Sequence, residues 1–439
     1  MTSLLQRQLE QLYGLERRRD RLDLDGTLAL LGALGDPHHR FRSVHVAGTN
    51  GKGSTCALIE RVLRAARLRT GLFTSPHLVD FRERIRLSGR WASEEVLQRE
   101  LEKIQALPAS RDATFFEIAT ALGFAEFGAH GVEWGVIEVG LGGRLDTTNV
   151  ITPEICAITS IGLDHGEILG ETHEAIAAEK AGILKPGVTC VSGVEHDAAA
   201  SVISRRAREV GAPLVQARDV VEVGTAMYGP WGTRLGIECE PWGRFQLQMR
   251  LCGSHQRENA RVALAVLAQL GAKGVRIPLA AVREGFAEVR WPGRLEPSPT
   301  VRRLWWDGAH NPDGVRRLVQ AWRDDMELEP PAAIVFAVAR DKDARVMLQR
   351  LRAFAPEARL LLTRSRSERA LPAEALAELV TTLGARAEVH ASVAGALGAV
   401  LEHGADGRGN RAGRVLLAGS LFAVGEAMEA FGGAPGELQ

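Results

Sequence analysis

Apolar residues along this chain recur in two rhythms. Between Ser43 and Ala47 they alternate and then run together, the chain breaks at Gly48, and beyond Lys52 the apolar positions Leu58, Ile59, Val62 and Leu63 fall at helical spacing. That succession predicts a strand, a glycine loop and a helix. Short apolar runs at 134–139 and 155–161 alternate with helical patterns over 115–127 and 173–183, which predicts a parallel sheet covered by helices. The segment 291–299 reads WPGRLEPSP, and three prolines in nine residues cannot continue a helix or a central strand. A domain boundary is expected there, dividing residues 1–293 from residues 294–439. Beyond it, strands at 304–306, 333–338, 360–363 and 415–418 separated by helical segments predict a second, smaller Rossmann-like α/β domain. Only the tail around 432–436 reads as loose.

At 439 residues the chain is too long for one ordinary core, in keeping with two domains or more. Apolar residues make up 45% and charged residues 25%, the balance of a folded globular protein. The 54 basic and 54 acidic residues cancel, so no global field would draw the chain to nucleic acid or to an anionic membrane, and small-molecule substrates are expected. Cys56, Cys156, Cys190, Cys239 and Cys252 are odd in number and widely spread, as reduced thiols of a cytoplasmic protein would be. The first 20 residues lack the continuous apolar core of a signal sequence, and no stretch reaches the roughly 18 apolar residues of a membrane span. A cytoplasmic monomer is the expectation.

The strongest chemical signal is the run Gly48 to Thr55, GTNGKGST, between the predicted strand and helix. Backbone N–H groups in such a loop can wrap a polyphosphate, because glycine tolerates the required dihedrals and a helix N-terminus favours negative charge. Gly51, Lys52, Gly53 and Ser54 are therefore candidate ATP contacts, with Lys52 as point charge and Ser54 near a Mg²⁺ or a phosphate oxygen. The first domain thus reads as a P-loop parallel-sheet ATPase, although Gly53 separates the lysine from the hydroxyl. A structural turn with incidental glycines is the plainer alternative.

Other candidates follow from position. Glu138 ends an apolar strand where ligands gather in open parallel sheets, and a carboxylate there suits Mg²⁺, or else a salt bridge. His165 follows the next strand at the same edge, beside Asp164. Asn259 has an amide able to donate and accept, as adenine recognition requires, and helix capping explains it equally well. Arg294 in the linker could reach the phosphates as a bidentate clamp or lie in solvent. Asp307 and His310 fall at the ligand edge of the second sheet, before a helix that Pro312 begins. Phe115 and Phe116 offer aromatic surface and Asp146 an acceptor, although core packing must account for at least one phenylalanine. The triplet 341–343, Asp-Lys-Asp, and Ser420 end strands of the second domain, where a substrate would gather, and the triplet also fits a solvated turn.

The spacing of GTNGKGST resembles the phosphate loop of the Mur ligase family. Within that family, TSPHL at 74–78, TFFE at 114–117, EVGLGGRLD at 138–146, GLDH at 162–165, EKAGI at 179–183, PGR at 292–294 and DGAHNP at 307–312 resemble folylpolyglutamate synthases, many of which are also dihydrofolate synthases. The likeness runs from about residue 44 to the end of the chain. It implies ATP as cosubstrate and two Mg²⁺ ions, one held by Ser75, Glu138 and His165. It also implies that Lys180, which composition alone would leave on a solvated helix face, is carbamylated and supports the second ion. Asp307 would take the ribose hydroxyls and His310 a phosphate, and Lys52, Lys180 and His310 become the candidate catalytic residues. Asp23, Leu24 and Asp25, the run Thr114, Phe115, Phe116 and Glu117, and Leu145, Asp146 and Thr147 would surround dihydropteroate. The chain departs from the pattern at Asp25, where the family has glycine, and at Thr147, where bifunctional members carry alanine. Ser420 would meet L-glutamate or the nucleotide. The implied reaction is an ATP-dependent ligation of L-glutamate to dihydropteroate or to a folate γ-carboxylate through an acyl phosphate. A Mur-type amino-acid ligase acting on another carboxylate, and an ATP-hydrolysing nucleotide switch, are the competing readings.

Overall fold

The computed structural model describes residues 8–9, 23–401, 413–433 and 435. Apart from Gln8 and Leu9, the N-terminal stretch read above for a signal sequence lies outside the described residues, as do two positions of the glycine-rich tail, 434 and 436.

The larger sheet contains β1 (Arg42–Ala47), β2 (Thr70–Phe73), β3 (Ile85–Leu87), β4 (Arg90–Trp91), β5 (Trp134–Glu138), β6 (Ile155–Ile158), β7 (Thr189–Ser192) and β8 (Leu214–Gln216). Their order is β4-β3-β2-β5-β1-β6-β7-β8, parallel from β2 to β8, with β3 and β4 closing one edge antiparallel. A parallel sheet is buried on both faces, which explains the apolar runs. Val44 and Val46 of β1 face the helices Lys52–Ala65, Ser254–Ala272 and Leu279–Glu288. On the opposite face, Phe73 and Ile137 meet Phe115–Ala129 and Glu94–Ala106 at one end of the sheet. Ala47 and Ile158 meet His173–Lys180 and Asp197–Val210 at the other.

A three-stranded antiparallel sheet, β9 (Glu222–Gly229), β10 (Gly232–Cys239) and β11 (Gly243–Met249), has no counterpart in the sequence expectations. Leu235, Ile237, Phe245 and Leu247 line its inner face against the same core as the helix Ser254–Ala272, while alternate residues face solvent. Its turns hold Pro230 and Pro241, each followed by Trp-Gly, so the signal was present as alternation between proline-glycine breaks.

The second sheet is built from β12 (Glu296–Pro297), β13 (Leu304–Trp306), β14 (Ala333–Phe336), β15 (Arg359–Leu362), β16 (Glu388–Val389) and β17 (Val415–Ala418). The order is β12-β13-β17-β14-β15-β16, with every pairing parallel except that of β12. Pro297 sits in a two-residue edge strand, where a missing ladder donor matters least. Helices cover both faces, so the chain forms two α/β lobes.

Three expectations change in detail. The strand expected over 155–161 stops at Ile158; Thr159 and Ser160 still trade backbone hydrogen bonds with Ala47 and Thr49, and their hydroxyls turn to the Asn50 carbonyl at 2.7 and 3.0 Å. The helix expected over 173–183 ends at Lys180 and tightens into a 3₁₀ turn, Ala181–Ile183. Asn259 does not cap a helix, since its helix begins at Ser254 and Asn259 lies inside it. Among the described residues no helix is long and apolar enough to cross a membrane, and all five cysteines are unpaired and buried.

The aromatic packing behind β2 and β5 provides a test of the core. Phe124 is fully buried between Phe41 and Phe73, with ring centroids 5.7 and 6.0 Å away. Phe124→Ala is expected to cost about 3–5 kcal/mol in urea denaturation, and a loss below about 1 kcal/mol would contradict this packing.

Candidate active site

The loop after β1 is held both by its neighbours and by its own side chains. Gly51 adopts φ +87° and opens the helix Lys52–Ala65. A Cβ there would run into the Asn259 amide, and one on Gly53 would lie 2.8 Å from the Trp291 indole nitrogen. The extra glycine between lysine and serine is therefore explained by Trp291, which packs directly on the helix start. Thr49 exchanges hydrogen bonds with the Gly162 backbone at 3.0 and 3.1 Å, and the Asn50 N–H donates to the Ser160 hydroxyl at 3.1 Å. Lys52 Nζ donates to the carbonyls of Gly48 (3.1 Å) and Thr49 (3.3 Å), so its charge hangs over the loop. Ser54 is buried one turn into the helix. Asn259 stands against Gly51 and donates to Gln256 Oε1 at 2.8 Å.

Glu138 lies at the end of β5 with 4% of its surface exposed, and Oε2 accepts the Ser75 N–H at 3.0 Å. Burial raises its pKa, opposed by Lys52, by the Ser75 amide, and by Arg294 and Arg84. Lys52, Arg294 and Glu138 therefore share one electrostatic neighbourhood. Glu138 brings a buried carboxylate, and Ser54 and Ser75 bring hydroxyls. Such an oxygen donor set fits a hard divalent cation, whose charge would offset the burial of Glu138. Lys180 is also buried, and burial together with the charge of Lys52 lowers its pKa to about 7, far below an ordinary lysine.

His165, at φ +53°, is turned toward the second lobe. Its Nε2 lies 2.9 Å from Lys342 Nζ, and its Nδ1 lies 3.5 Å from Asp341 Oδ2. Ser75 and Glu138 thus touch each other, whereas His165 faces Lys342, Asp164 and Asp341. Lys342 also donates to Asp164 Oδ1 at 2.7 Å, and Asn311 donates to Asp164 Oδ2 at 2.9 Å and to Asn50 Oδ1 at 3.1 Å. The Asn50 amide in turn donates to Asp313 at 3.1 Å. Burial works against charge on Asp164, yet Lys342, His310 and His165 hold its carboxyl well below the usual range. This polar seam ties the phosphate loop to the second lobe. Sequence reasoning overlooked Asn50, Asn311 and Asp313 as connectors and left Lys342 open to a solvated turn. The side chain of Lys342 is only 5% exposed, which overturns the solvated reading for that residue.

Asp307 ends β13 and is buried. Burial raises its pKa against the pull of Arg294, and it accepts the Ala309 N–H at 2.6 Å. His310 Nδ1 lies 2.8 Å from the Gly308 carbonyl and must donate to it, and burial and Lys342 lower its pKa to about 4. Arg294 is half-buried and close enough to Gly308 that a Cβ there would lie 2.7 Å from Nη1, so the solvent-exposed alternative for Arg294 falls. Ser420 is buried and caps the helix Leu421–Phe431 by accepting the Ala423 N–H.

The residues expected around the third substrate fall on one side of the first sheet. Thr114 and Glu117 form a capping box at the start of Phe115–Ala129, and the Glu117 carboxylate abuts the backbone of Gly26. That contact brings Asp23, Leu24 and Asp25 beside the box, with both aspartates exposed. Phe115 is core, packed against Phe81 and Arg84, whereas Phe116 is half-buried and its ring lies on Gly140. Thr147 joins this wall through a 2.6 Å hydroxyl contact with Thr120, and Leu145 is half-buried beside it. Asp146 is committed within the chain: Oδ1 accepts from the Thr148 N–H at 3.0 Å and Oδ2 from the Leu141 N–H at 2.8 Å. Its pKa is raised by burial against these bonds.

Residues 46–267 match the Mur ligase middle domain, and residues 293–421 match the Mur ligase glutamate ligase domain. A folylpolyglutamate synthase of Lacticaseibacillus casei is 37% identical over 335 residues, covering 74% of this chain and 78% of that protein. The chain belongs to the Mur ligase family. A dihydrofolate synthase/folylpolyglutamate synthase of Bacillus subtilis is likewise 37% identical, over 74% of this chain and 77% of that protein. Among solved structures, Mycobacterium tuberculosis folylpolyglutamate synthase complexed with ADP and AMPPCP superposes with a TM-score of 0.88 at 31% identity, covering 98% of this chain and 99% of that one. Escherichia coli FolC in complex with DHPP and ADP gives 0.83 at 29% identity, covering 97% of each chain. Within the family the chain falls in the folylpolyglutamate synthase/dihydrofolate synthase branch, and it is an ATP-dependent ligase.

The contact between Gly53 and Trp291 makes this ligase testable at its loop. Gly53→Ala is expected to weaken ADP binding by roughly tenfold in calorimetry, because the new methyl would lie 2.8 Å from the indole nitrogen and the rigid ring must move away from the helix start. Unchanged ADP affinity would show that Trp291 does not shape the loop.

Proposed function

We propose that the chain joins L-glutamate to the carboxyl group of dihydropteroate or to the γ-carboxylate of a folate. The observation that carries this reading is the convergence of Lys52, Glu138, Lys180, Arg294, Asp307 and His310 along the seam between the lobes. The wall from Asp23 to Thr147 stands beside the first sheet.

The carboxylate of the acceptor forms a bond to the γ-phosphorus of ATP as ADP leaves, and the uncharged amine of glutamate then displaces phosphate from the acyl carbon. Lys52, suspended over its own loop carbonyls, is placed to exchange them for phosphate oxygens. Arg294 and His310 approach the same region from the second lobe, and closure of the lobes would exclude water from the acyl phosphate. Glu138, Ser75, Ser54 and His165 would hold Mg²⁺, which when bound supplies charge neutralisation for the phosphates. For His165 this role requires release of Nε2 from Lys342.

A second ion would depend on Lys180. Carbamylation joins the neutral amine to CO₂ and releases one proton, and burial favours that neutral amine. Phe116 and the Thr114–Glu117 box would border the pterin ring, Asp307 would meet the ribose, Asn259 the adenine side of Gly51, and Ser420 the incoming glutamate. The chain would act on small molecules as a monomer, and a cytoplasmic setting accords with the five unpaired, buried thiols.

The test is to supply purified protein with ATP, Mg²⁺ and L-glutamate, adding either dihydropteroate or a reduced folate, and to follow phosphate release and product mass. Phosphate is expected only with an acid acceptor present, each mole accompanied by a glutamylated product. Rapid ATP hydrolysis without an acceptor would favour a nucleotide switch, and silence with both folates would favour another carboxylate.

Lys180 supports a separate prediction. Its pKa is depressed, so the unfolded chain binds a proton between about pH 7 and pH 10 that the folded chain does not, and burial of this lysine becomes less costly as pH rises through that window. Lys180→Met is therefore expected to abolish turnover while raising the unfolding temperature at pH 7 by a few degrees. In the unmutated chain, at equal concentrations of dissolved ¹³CO₂, the lysine should label faster at pH 8 than at pH 6. A destabilised Met variant would contradict the burial argument, and absence of label at both pH values would remove carbamylation.

A further inference from the structure

The turn after β14 contributes a cation to the seam that the reaction scheme leaves without a task. Lys342 has a side chain only 5% exposed, with Nζ 2.7 Å from Asp164 Oδ1, 2.9 Å from His165 Nε2 and 3.4 Å from Asp341 Oδ2. An ammonium has no acceptor, so the contact with His165 runs from Lys342 into the lone pair on Nε2. The other ring nitrogen, Nδ1, then carries the hydrogen and faces Asp341 at 3.5 Å. In that tautomer Nε2 is the only atom through which the imidazole can ligate a metal, and it is occupied.

We propose that Lys342 is a positioning residue that competes with the divalent ion for His165 Nε2, so that ion binding and the contact between lobes are linked. The proposal rests on the reading of His165 as an ion ligand. One lone pair cannot serve two cations, so the ion must displace the ammonium. Displacement need not part the lobes, because Asp164 remains bonded to Asn311, and Asn50 to Asn311 and Asp313. Lys342 and His165 exchange partners inside a seam that stays joined. Asp164 gives the released ammonium a place to stay, since its Oδ1 already accepts from Lys342 and is itself held by the His165 backbone N–H. Asp341, paired with Arg369 at 3.1 Å, keeps its position on the other side of the ring.

This arrangement makes a prediction opposite in sign to that of a simple structural pillar. Removing a pillar loosens the site, whereas removing a competitor tightens it. Mn²⁺ titrated into the full chain without nucleotide, with free ion read by electron paramagnetic resonance, is expected to bind Lys342→Met about tenfold more tightly than the unmutated chain. Lys342→Arg should stay close to the unmutated value. In a His165→Ala background the Met substitution should have no effect on Mn²⁺ affinity.

Unchanged or weaker Mn²⁺ binding by a folded Lys342→Met chain, with His165→Ala still weakening the ion, would overturn the competition and leave His165 as a ligand. Mn²⁺ affinity indifferent to His165→Ala in both backgrounds would remove His165 from the ion site, and the proposal with it. A measurement on the unmutated chain covers the case of a Met variant that does not fold. Hydrogen exchange of residues 340–343 should quicken when Mn²⁺ is added alone, and no change at saturating ion would overturn the proposal.

Discussion

Parallel strands end at the same edge of a sheet, and that constraint builds this site. The C-terminal ends of β1, β5 and β6 deliver the glycine loop, Glu138 and the segment from Thr159 to His165 to one edge of the first lobe. The ends of β13, β14 and β17 deliver Asp307, Lys342 and Ser420 to one edge of the second. Groups far apart in the chain therefore meet across a seam without long loops to carry them. The adjacent order β5-β1-β6 matters most, because it places the loop between its carboxylate and the hydroxyls of Thr159 and Ser160.

The chemical side of the seam is held by charge and hydrogen bonding. Glu138, Lys180, Asp307 and Arg294 are each buried to a degree that disfavours their ionised forms, and each is only partly compensated by neighbours. A chain selected for stability alone would gain by replacing such groups with apolar ones. Their placement where two lobes meet accords with the proposed binding of a polyanion and a divalent cation, whose charges would compensate theirs. The two lobes each have apolar cores, and their contact combines the polar network of Asn50, Asp164, Asn311, Asp313 and Lys342 with apolar packing of Leu78 and Cys252 of the first lobe into cores of the second. The polar part can be remade when ligands arrive, while the apolar part keeps the lobes joined.

Some residues proposed to meet the substrate serve the fold as well. Asp146 orders the loop from Leu141 to Thr148 with both of its oxygens, and Ser420 caps the final helix. Thr114 and Glu117 close a capping box while pressing against Gly26. Such bonds hold the loops that line a site in one conformation before a ligand enters, and the ordering cost is met during folding.

Much of this protein was legible in the chain, for reasons of local physics. The phosphate loop follows from three glycines and a lysine between an apolar strand and a helix, and β1, β5, β13 and β17 were visible as short apolar runs. These signals are local, since backbone freedom and side-chain periodicity act over a few residues. The antiparallel sheet β9 to β11 escaped although its alternation was regular, because it interrupts the α/β succession on which the rest of the first lobe was read. Lys342 escaped because a lysine between two aspartates is most simply a solvated turn. Only the tertiary structure brought that turn onto Asp164 and His165, explained Gly53 by Trp291, and separated the buried Phe115 from the half-exposed Phe116. Which groups lose their water, and which cation faces which lone pair, depends on strands hundreds of residues apart meeting at a common edge, and no local pattern in a sequence records that.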